Sequence, residues 1–378
     1  MSDLDLFAAT APGVSAITAG ELQALGIAVS EVLPDGVGFR GDHAVVHRAN
    51  VWLRTANRVV ARMGSFRART FAELERHAAA LNWRAYVQDG GRATFRVTAR
   101  KCRLFHTGAI AERLARAAGV HEPAAAPAAA EEPAGADETD AAGAQLFVVR
   151  GVRDEWQVSA DSSGAHLHQR GYRLATAKAP LRETLAAAAV LASRWDGISP
   201  LVDPFCGAGT ICIEGALLAS GRPPGAGRDF RFTHWPGFDR RLAATPDVPG
   251  ARDSKAPGKI SGYDRDAGAI AAAQANAERA GVSEVIAFAQ QSLSGFEPPA
   301  TRGWIVTNPP YGVRVGDRGE LRNLYARFGA VARERCAGWV VAFLSADPAL
   351  ERATGLQLEP VLRTENGGLP VRLVIAEP

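Results

Sequence analysis

Two short stretches of the chain carry residue types and spacings suited to binding chemistry. Asp203-Pro204-Phe205-Cys206-Gly207-Ala208-Gly209-Thr210 follows the apolar pair Leu201-Val202 and precedes Ile211 to Ser220, a run of helical character. It reads as a turn from the carboxyl end of a strand into the amino end of a helix. Gly207 and Gly209 permit positive φ and close approach of a ligand, and Thr210 with the first free helix N–H groups can donate hydrogen bonds to it. The second stretch, Asn308-Pro309-Pro310-Tyr311, also follows an apolar strand, Trp304 to Thr307. Two such turns predict one ligand site at the carboxyl edge of an open α/β sheet. A dinucleotide is disfavoured: its fingerprint wants a third Gly and an acid about 20 residues on. Here position 212 is Cys, and the next acid ending a strand is Asp264.

The pair of motifs resembles that of class I amino-methyltransferases. Further runs narrow the resemblance: His168-Gln169-Arg170-Gly171-Tyr172-Arg173, Ala179-Pro180-Leu181-Arg182-Glu183-Thr184-Leu185 and Thr210-Ile211-Cys212-Ile213-Glu214-Gly215-Ala216. Over most of its length the chain is similar to the THUMP-domain RNA guanine-N2 methyltransferases, especially the bacterial enzymes acting on large-subunit (23S) ribosomal RNA. The resemblance implies S-adenosylmethionine as cofactor and RNA as partner, with the same chemistry on tRNA as the nearest rival. A non-catalytic RNA-binding or ribosome-assembly factor is the alternative from another class. DNA is disfavoured because the motif pair is preceded by a basic region in THUMP order.

What the resemblance implies for the residues can be stated chemically. Asp203, Phe205, Cys206, Gly207, Gly209 and Thr210 would take the methionine end of the cofactor, backbone N–H groups holding its carboxylate and a nearby acid tolerating its ammonium. Asp264 would accept both ribose hydroxyls, as the acid does in dinucleotide folds, while Asp266 has the type and place of a helix N-cap. The family usually has an Asp for the adenine amine after the third strand; here Gln291 and Ser292 stand there, able to accept the same bond without charge. Asn308, beside the cofactor, would join Pro309 and Tyr311 as the catalytic group. The Asn308 side-chain oxygen and the Pro309 carbonyl would accept the two N–H bonds of an amine, with Tyr311 as a stacking face for an extruded base. No metal is required.

The elements that position these residues read as an α/β doubly wound seven-stranded sheet, the seven-strand count with an antiparallel last strand coming from the resemblance. Strand and helix alternate from Lys259 to Leu344, and Val371 to Ala376 is a last strand. Before the expected catalytic domain (161–378) the resemblance implies an α+β ferredoxin-like module (1–42) and a THUMP domain (43–160). Net charge is +3, but residues 40–121 hold 16 Lys and Arg against 5 acids, whereas 122–143 hold 6 acids and no Lys or Arg. The first of these is the expected RNA footprint, with Arg96, Arg100 and Lys101 on or just after one strand. Residues 122–144, rich in Ala, Pro and acids, are expected to be a disordered loop within the THUMP domain.

Residues 221–258, with 12 Gly and Pro, read as an insertion whose aromatics Phe230, Phe232, Trp235 and Phe238 pack it down. Four cysteines without C-x-x-C spacing read as reduced thiols rather than metal ligands. With no apolar run of 18 residues and no leader pattern, the reading is a cytoplasmic protein away from membranes.

Overall fold

The computed structural model describes residues 3–120, 143–174, 181–243, 259–311 and 318–378. The expected acidic loop, except for its last two residues, lies outside the described residues, as do Ala179 and Pro180. Two seven-stranded sheets organise the chain. The first is built from β1 (Leu4–Thr10), β2 (Val29–Leu33), β3 (Gly36–Gly41), β4 (Ala56–Arg67), β5 (Ala93–Arg100), β6 (Gln145–Val152) and β7 (Glu155–Asp161), in the order β2-β3-β1-β4-β7-β6-β5. Its helices are α1 (Ser15–Ala24), α2 (His43–Trp52), α3 (Phe71–Ala79) and α4 (Thr107–Ala118). The segment β1-α1-β2-β3-α2-β4 forms the ferredoxin-like unit, whose fourth strand lies within residues 43–160. That strand then pairs with β7, so one sheet continues across both regions.

Local chemistry accounts for the helix limits. Asp42 caps α2 by accepting the N–H groups of Ala44 and Val45. Thr70 and Glu73 form a reciprocal capping box at α3, satisfying two otherwise free N–H groups. In β1 and β5 alternate residues are buried (Leu6, Ala8; Ala93, Phe95, Val97), as expected of a sheet covered on one face.

The second sheet contains β8 (Leu201–Asp203), β9 (Ile260–Asp264), β10 (Ile286–Gln290), β11 (Trp304–Thr307), β12 (Val340–Ser345), β13 (Glu359–Asn366) and β14 (Leu369–Ala376), ordered β10-β9-β8-β11-β12-β14-β13. Strands β8 to β12 run parallel, and β14 is antiparallel to both its neighbours. Helices α5 (Glu183–Ala192), α6 (Thr210–Ala219) and α7 (Ala267–Arg279) belong to one core, and α8 (Arg318–Arg335) and α9 (Pro348–Ala353) to the other. Strand residues alternate between the two: Leu201, Val306 and Ala342 enter the first, and Val202, Ile305 and Val341 the second. This doubly wound plan reverses strand order between β8 and β11, the point where such sheets bind ligands. Among the described residues no helix is long and apolar enough to cross a membrane.

The insertion packs, and it packs into the other half of the molecule. Phe230, Phe232 and Trp235, each at most 3% exposed, belong to the core of the first sheet, with Phe238 against them. Trp235 meets Tyr86 edge-on at 4.9 Å and donates to Gln145 at the start of β6 (3.0 Å). Gly225 N–H donates to the Val51 carbonyl, and Phe232 stacks obliquely on His47.

Candidate active site

Both motif turns lie at the carboxyl ends of β8 and β11, on either side of the strand-order reversal. They are joined directly. The Thr307 hydroxyl donates to Asp203 Oδ1 (2.5 Å), and the same oxygen accepts the Phe205 N–H (3.0 Å). Asp203 is 2% exposed, and burial, with the nearby Asp264 charge adding to it, pushes its carboxyl up to about 7. Asp264 braces the glycine turn: Oδ2 accepts the Gly207 N–H (3.1 Å) and Oδ1 the Asp266 N–H (3.0 Å). Asp266 caps α7 by accepting the Gly268 N–H.

The turn spends most of its own donors internally. Cys206 N–H goes to the Tyr263 carbonyl and Gly209 N–H to the Cys206 carbonyl, while those of Phe205 and Gly207 are on the two aspartates. The donors left for a ligand are therefore Ala208 and the first turn of α6, Thr210 to Cys212. The Phe205 ring points into the second core, edge-on to Phe328, and burial raises the Cys206 thiol far above its ordinary range. Gly207, at φ +51°, faces open space: a Cβ there would meet nothing within 4 Å. Gly209, at φ +83°, is wedged instead, since a Cβ would fall 2.9 Å from the Phe288 ring. Gln291 donates its amide to the Gly295 carbonyl, which leaves its oxygen as an acceptor, and Ser292 is exposed beside it.

In the second turn Pro309 is buried and Asn308 half-buried, and Asn308 Oδ1 is buried without a hydrogen-bond partner among the described residues. Such an orphan acceptor is uncommon and costs free energy unless a ligand donor fills it. Tyr311 is half-buried, its hydroxyl accepting from Asn366 Nδ2 (2.7 Å) in the hairpin joining β13 and β14. Thr307, Asn366 and Asn276, which donates to the Ala208 carbonyl (3.0 Å), were not singled out from sequence. Only Thr307 carried a signal, a polar residue closing an apolar strand next to Asn308.

The expected RNA-contacting residues divide. Arg100 and Lys101 are exposed at and just beyond the end of β5. Arg96 is half-buried, and its charge is felt at His166, which burial first, then the Arg58 guanidinium, pushes down to about 2. The longer sequence runs form a buried seam between the halves. Tyr172 and Arg170 both engage Glu214 of α6 (3.0 and 3.5 Å), and Arg170 also donates to the Arg54 carbonyl. Arg54 in turn donates to the Leu217 and Arg222 carbonyls, and Arg173 pairs with Glu183 (3.1 Å).

The site fits S-adenosylmethionine on its own chemistry. Asp203 and Asp264 make no ion pair among the described residues, an arrangement suited to a ligand bearing ammonium and sulfonium charges. The open face of Gly207 admits its backbone approach. Fold and site together define a Rossmann-like methyltransferase.

The sequence matches the family model of an RMKL-like methyltransferase domain over residues 170–374 and that of an RlmL ferredoxin-like domain over residues 5–60. YpsC of Bacillus subtilis (strain 168), provisionally named an RNA methyltransferase, is 35% identical over 373 residues, covering 95% of this chain and 92% of YpsC. Among solved structures, SMU.472, provisionally named a methyltransferase and complexed with SAH, is 30% identical with a TM-score of 0.84, covering 100% of this chain and 98% of that one. A Listeria monocytogenes protein whose name describes a predicted N6-adenine-specific DNA methylase is 31% identical with a TM-score of 0.84, covering 99% and 96%. The chain belongs to the RMKL-like methyltransferases and depends on S-adenosylmethionine.

Proposed function

We propose that this protein methylates the exocyclic N2 amine of a guanosine in 23S ribosomal RNA or its precursor. The observation that carries the reading is the buried, unpartnered Asn308 Oδ1 between β11 and a proline-braced turn. An aryl amine is a poor nucleophile because its lone pair is delocalised into the ring. With one N–H bonded to Asn308 Oδ1 and the other to the Pro309 carbonyl, the lone pair is turned out of conjugation and held in one direction. Bound S-adenosylmethionine supplies a methyl group activated by its sulfonium. The protein's part is orientation: Pro309 and Pro310 stiffen the turn, and Tyr311, pinned through its hydroxyl, presents a ring edge or face to the base.

RNA as the substrate class is supported by the name of YpsC and by the basic charge of residues 40–121, most of which fall in the proposed THUMP unit 43–160. Guanine and the ribosomal target rest on the sequence runs around Arg170 and Leu181. A second reading, adenine N6 in DNA, follows from the name of the Listeria structure, because that amine needs the same two acceptors. Nucleoside mass spectrometry of ribosomal RNA, transfer RNA and DNA from cells with and without the gene tests all three. Loss of N2-methylguanosine from 23S RNA is expected; loss from tRNA alone moves the target, and loss of N6-methyladenine from DNA sinks the proposal.

A further inference from the structure

Outside glycine, the described backbone enters the left-handed region at four positions: Lys101 (φ 56°), Arg153 (φ 52°), Asp154 (φ 67°) and Arg194 (φ 59°). Three of the four meet at one end of the first sheet, where β5 and β6 finish side by side. Residues with a Cβ pay for this conformation, and it persists only where surrounding contacts hold it. The contacts here are specific. Arg153 N–H donates to the Arg100 carbonyl (3.0 Å), and the Asp154 carboxylate accepts the Arg103 N–H (2.7 Å) and Arg69 Nε (3.2 Å). The Asp154 carbonyl accepts the Ala68 N–H, so the ends of three strands are tied to one residue.

On this braced platform stands Phe105, 64% exposed, its ring 4.2 Å from that of His106. Leu104 beside it is buried, and Val152, opposite Arg100 at the end of β6, is 38% exposed. Around it Arg100, Lys101, Arg103 and Arg153 are exposed, and none of them makes an ion pair among the described residues. The buried acid here, Asp154, is already committed to Arg103 and Arg69. An exposed ring among cations that make no ion pair among the described residues matches a nucleotide, whose base offers a π face and whose phosphates offer charge; an apolar peptide or a lipid tail would leave the cations unmatched.

We propose that this end of the first sheet binds an unpaired RNA nucleotide, its base stacked on Phe105 and its flanking phosphates held by Lys101, Arg103 and Arg153. The inference rests on the proposed RNA substrate and adds an anchor separate from the reacting base. Gln145, at the start of β6, touches Trp235 of the insertion, while Arg153 lies beyond the other end of the same strand, roughly 25 Å away at 3.3 Å per residue.

Binding of the full chain to a labelled twelve-nucleotide single strand, and to a blunt RNA duplex, tests this. Phe105→Ala should weaken single-strand binding about tenfold or more and change duplex binding less than twofold, and Phe105→Trp should restore it. Lys101→Asn with Arg103→Gln, the first chosen because Asn tolerates the left-handed region, should lower the salt slope by roughly 1.4. S-adenosylmethionine affinity should not move in any variant. Single-strand binding indifferent to Phe105, or an equal loss on duplex, overturns the inference while leaving RNA methylation standing. A Phe105-dependent loss in a protein that installs no methyl group on RNA supports the anchor and removes the proposed reaction instead.

Discussion

The carboxyl-terminal sheet is covered on both faces and puts its chemistry at the ends of its strands, whereas the amino-terminal sheet completes its core with residues taken from the other half. In the former, every strand from β8 to β12 feeds a turn at the same edge, and the two that flank the order reversal hold Asp203 and Asn308. In the latter, Phe230, Phe232 and Trp235 arrive from the insertion after α6. The difference separates two kinds of dependence. The proposed reacting groups sit on strand-end turns, while the proposed RNA-binding half is held by long-range contacts, the buried seam around Arg170 and Arg54 together with the grafted aromatics.

The largest expected effect breaks the graft. Trp235→Ala removes a ring 3% exposed together with its bond to Gln145, and should cost about 3–5 kcal/mol. Urea unfolding should show an early transition for the amino-terminal sheet; an unchanged midpoint would mean that the two halves stand independently. Asn308→Ala should act in the opposite way. Single-turnover methylation should fall roughly 10²-fold, about 2.7 kcal/mol, while thermal stability holds or rises slightly because an unsatisfied buried acceptor is gone. A full rate in that variant would return the turn to a structural role.

Asp264→Ala should weaken S-adenosylmethionine binding by more than about 1.5 kcal/mol in calorimetry, since it removes the proposed ribose acceptor and also frees the Gly207 N–H. Unchanged affinity would take Asp264 out of the site. The smallest effect is on pH. With Asp203 raised to about 7 against an unfolded value near 3.8, the stability it contributes is fully present below about pH 4 and is lost as pH rises to about 7. A cationic ligand favours the ionised form, so cofactor affinity should climb between pH 6 and 8, by at most about tenfold, and level off above. Asp203→Asn should flatten both profiles; if the wild-type affinity is itself flat, the ligand's charge does not act on Asp203.

The same contrast explains what the sequence disclosed. The parallel strands β8 to β12 were legible because each is a short apolar run ending in a turn, and Asp266 announced its cap by type and place. β4 was not, although it centres the first sheet. Its first half is buried on both sides, and it contains Arg58, which is paired with Asp161 (2.8 Å) and so reads as polar while lying inside. β13 and α9 were also missed, although Asn366-Gly367-Gly368 marks the β13–β14 hairpin. In the site, the residues proposed to meet a ligand stood out, but the residues that brace them did not. Asn276 and Asn366 act across 68 and 55 residues of chain, and no local spacing encodes such a bond. Nor did the strand pattern reveal that Arg96 is half-buried with its charge felt at His166, while Arg100 is exposed.

The graft also sets an order of events during synthesis. A chain growing from its amino terminus finishes β7 well before Phe230 is made, and at that moment its first sheet has a gap where three aromatic rings belong. Its exposed lining, including Tyr86 and His47, must wait through β8 and α6. The amino-terminal half therefore cannot reach its final packing as a nascent segment, and any fragment cut between the halves near residue 160 is left with an open core.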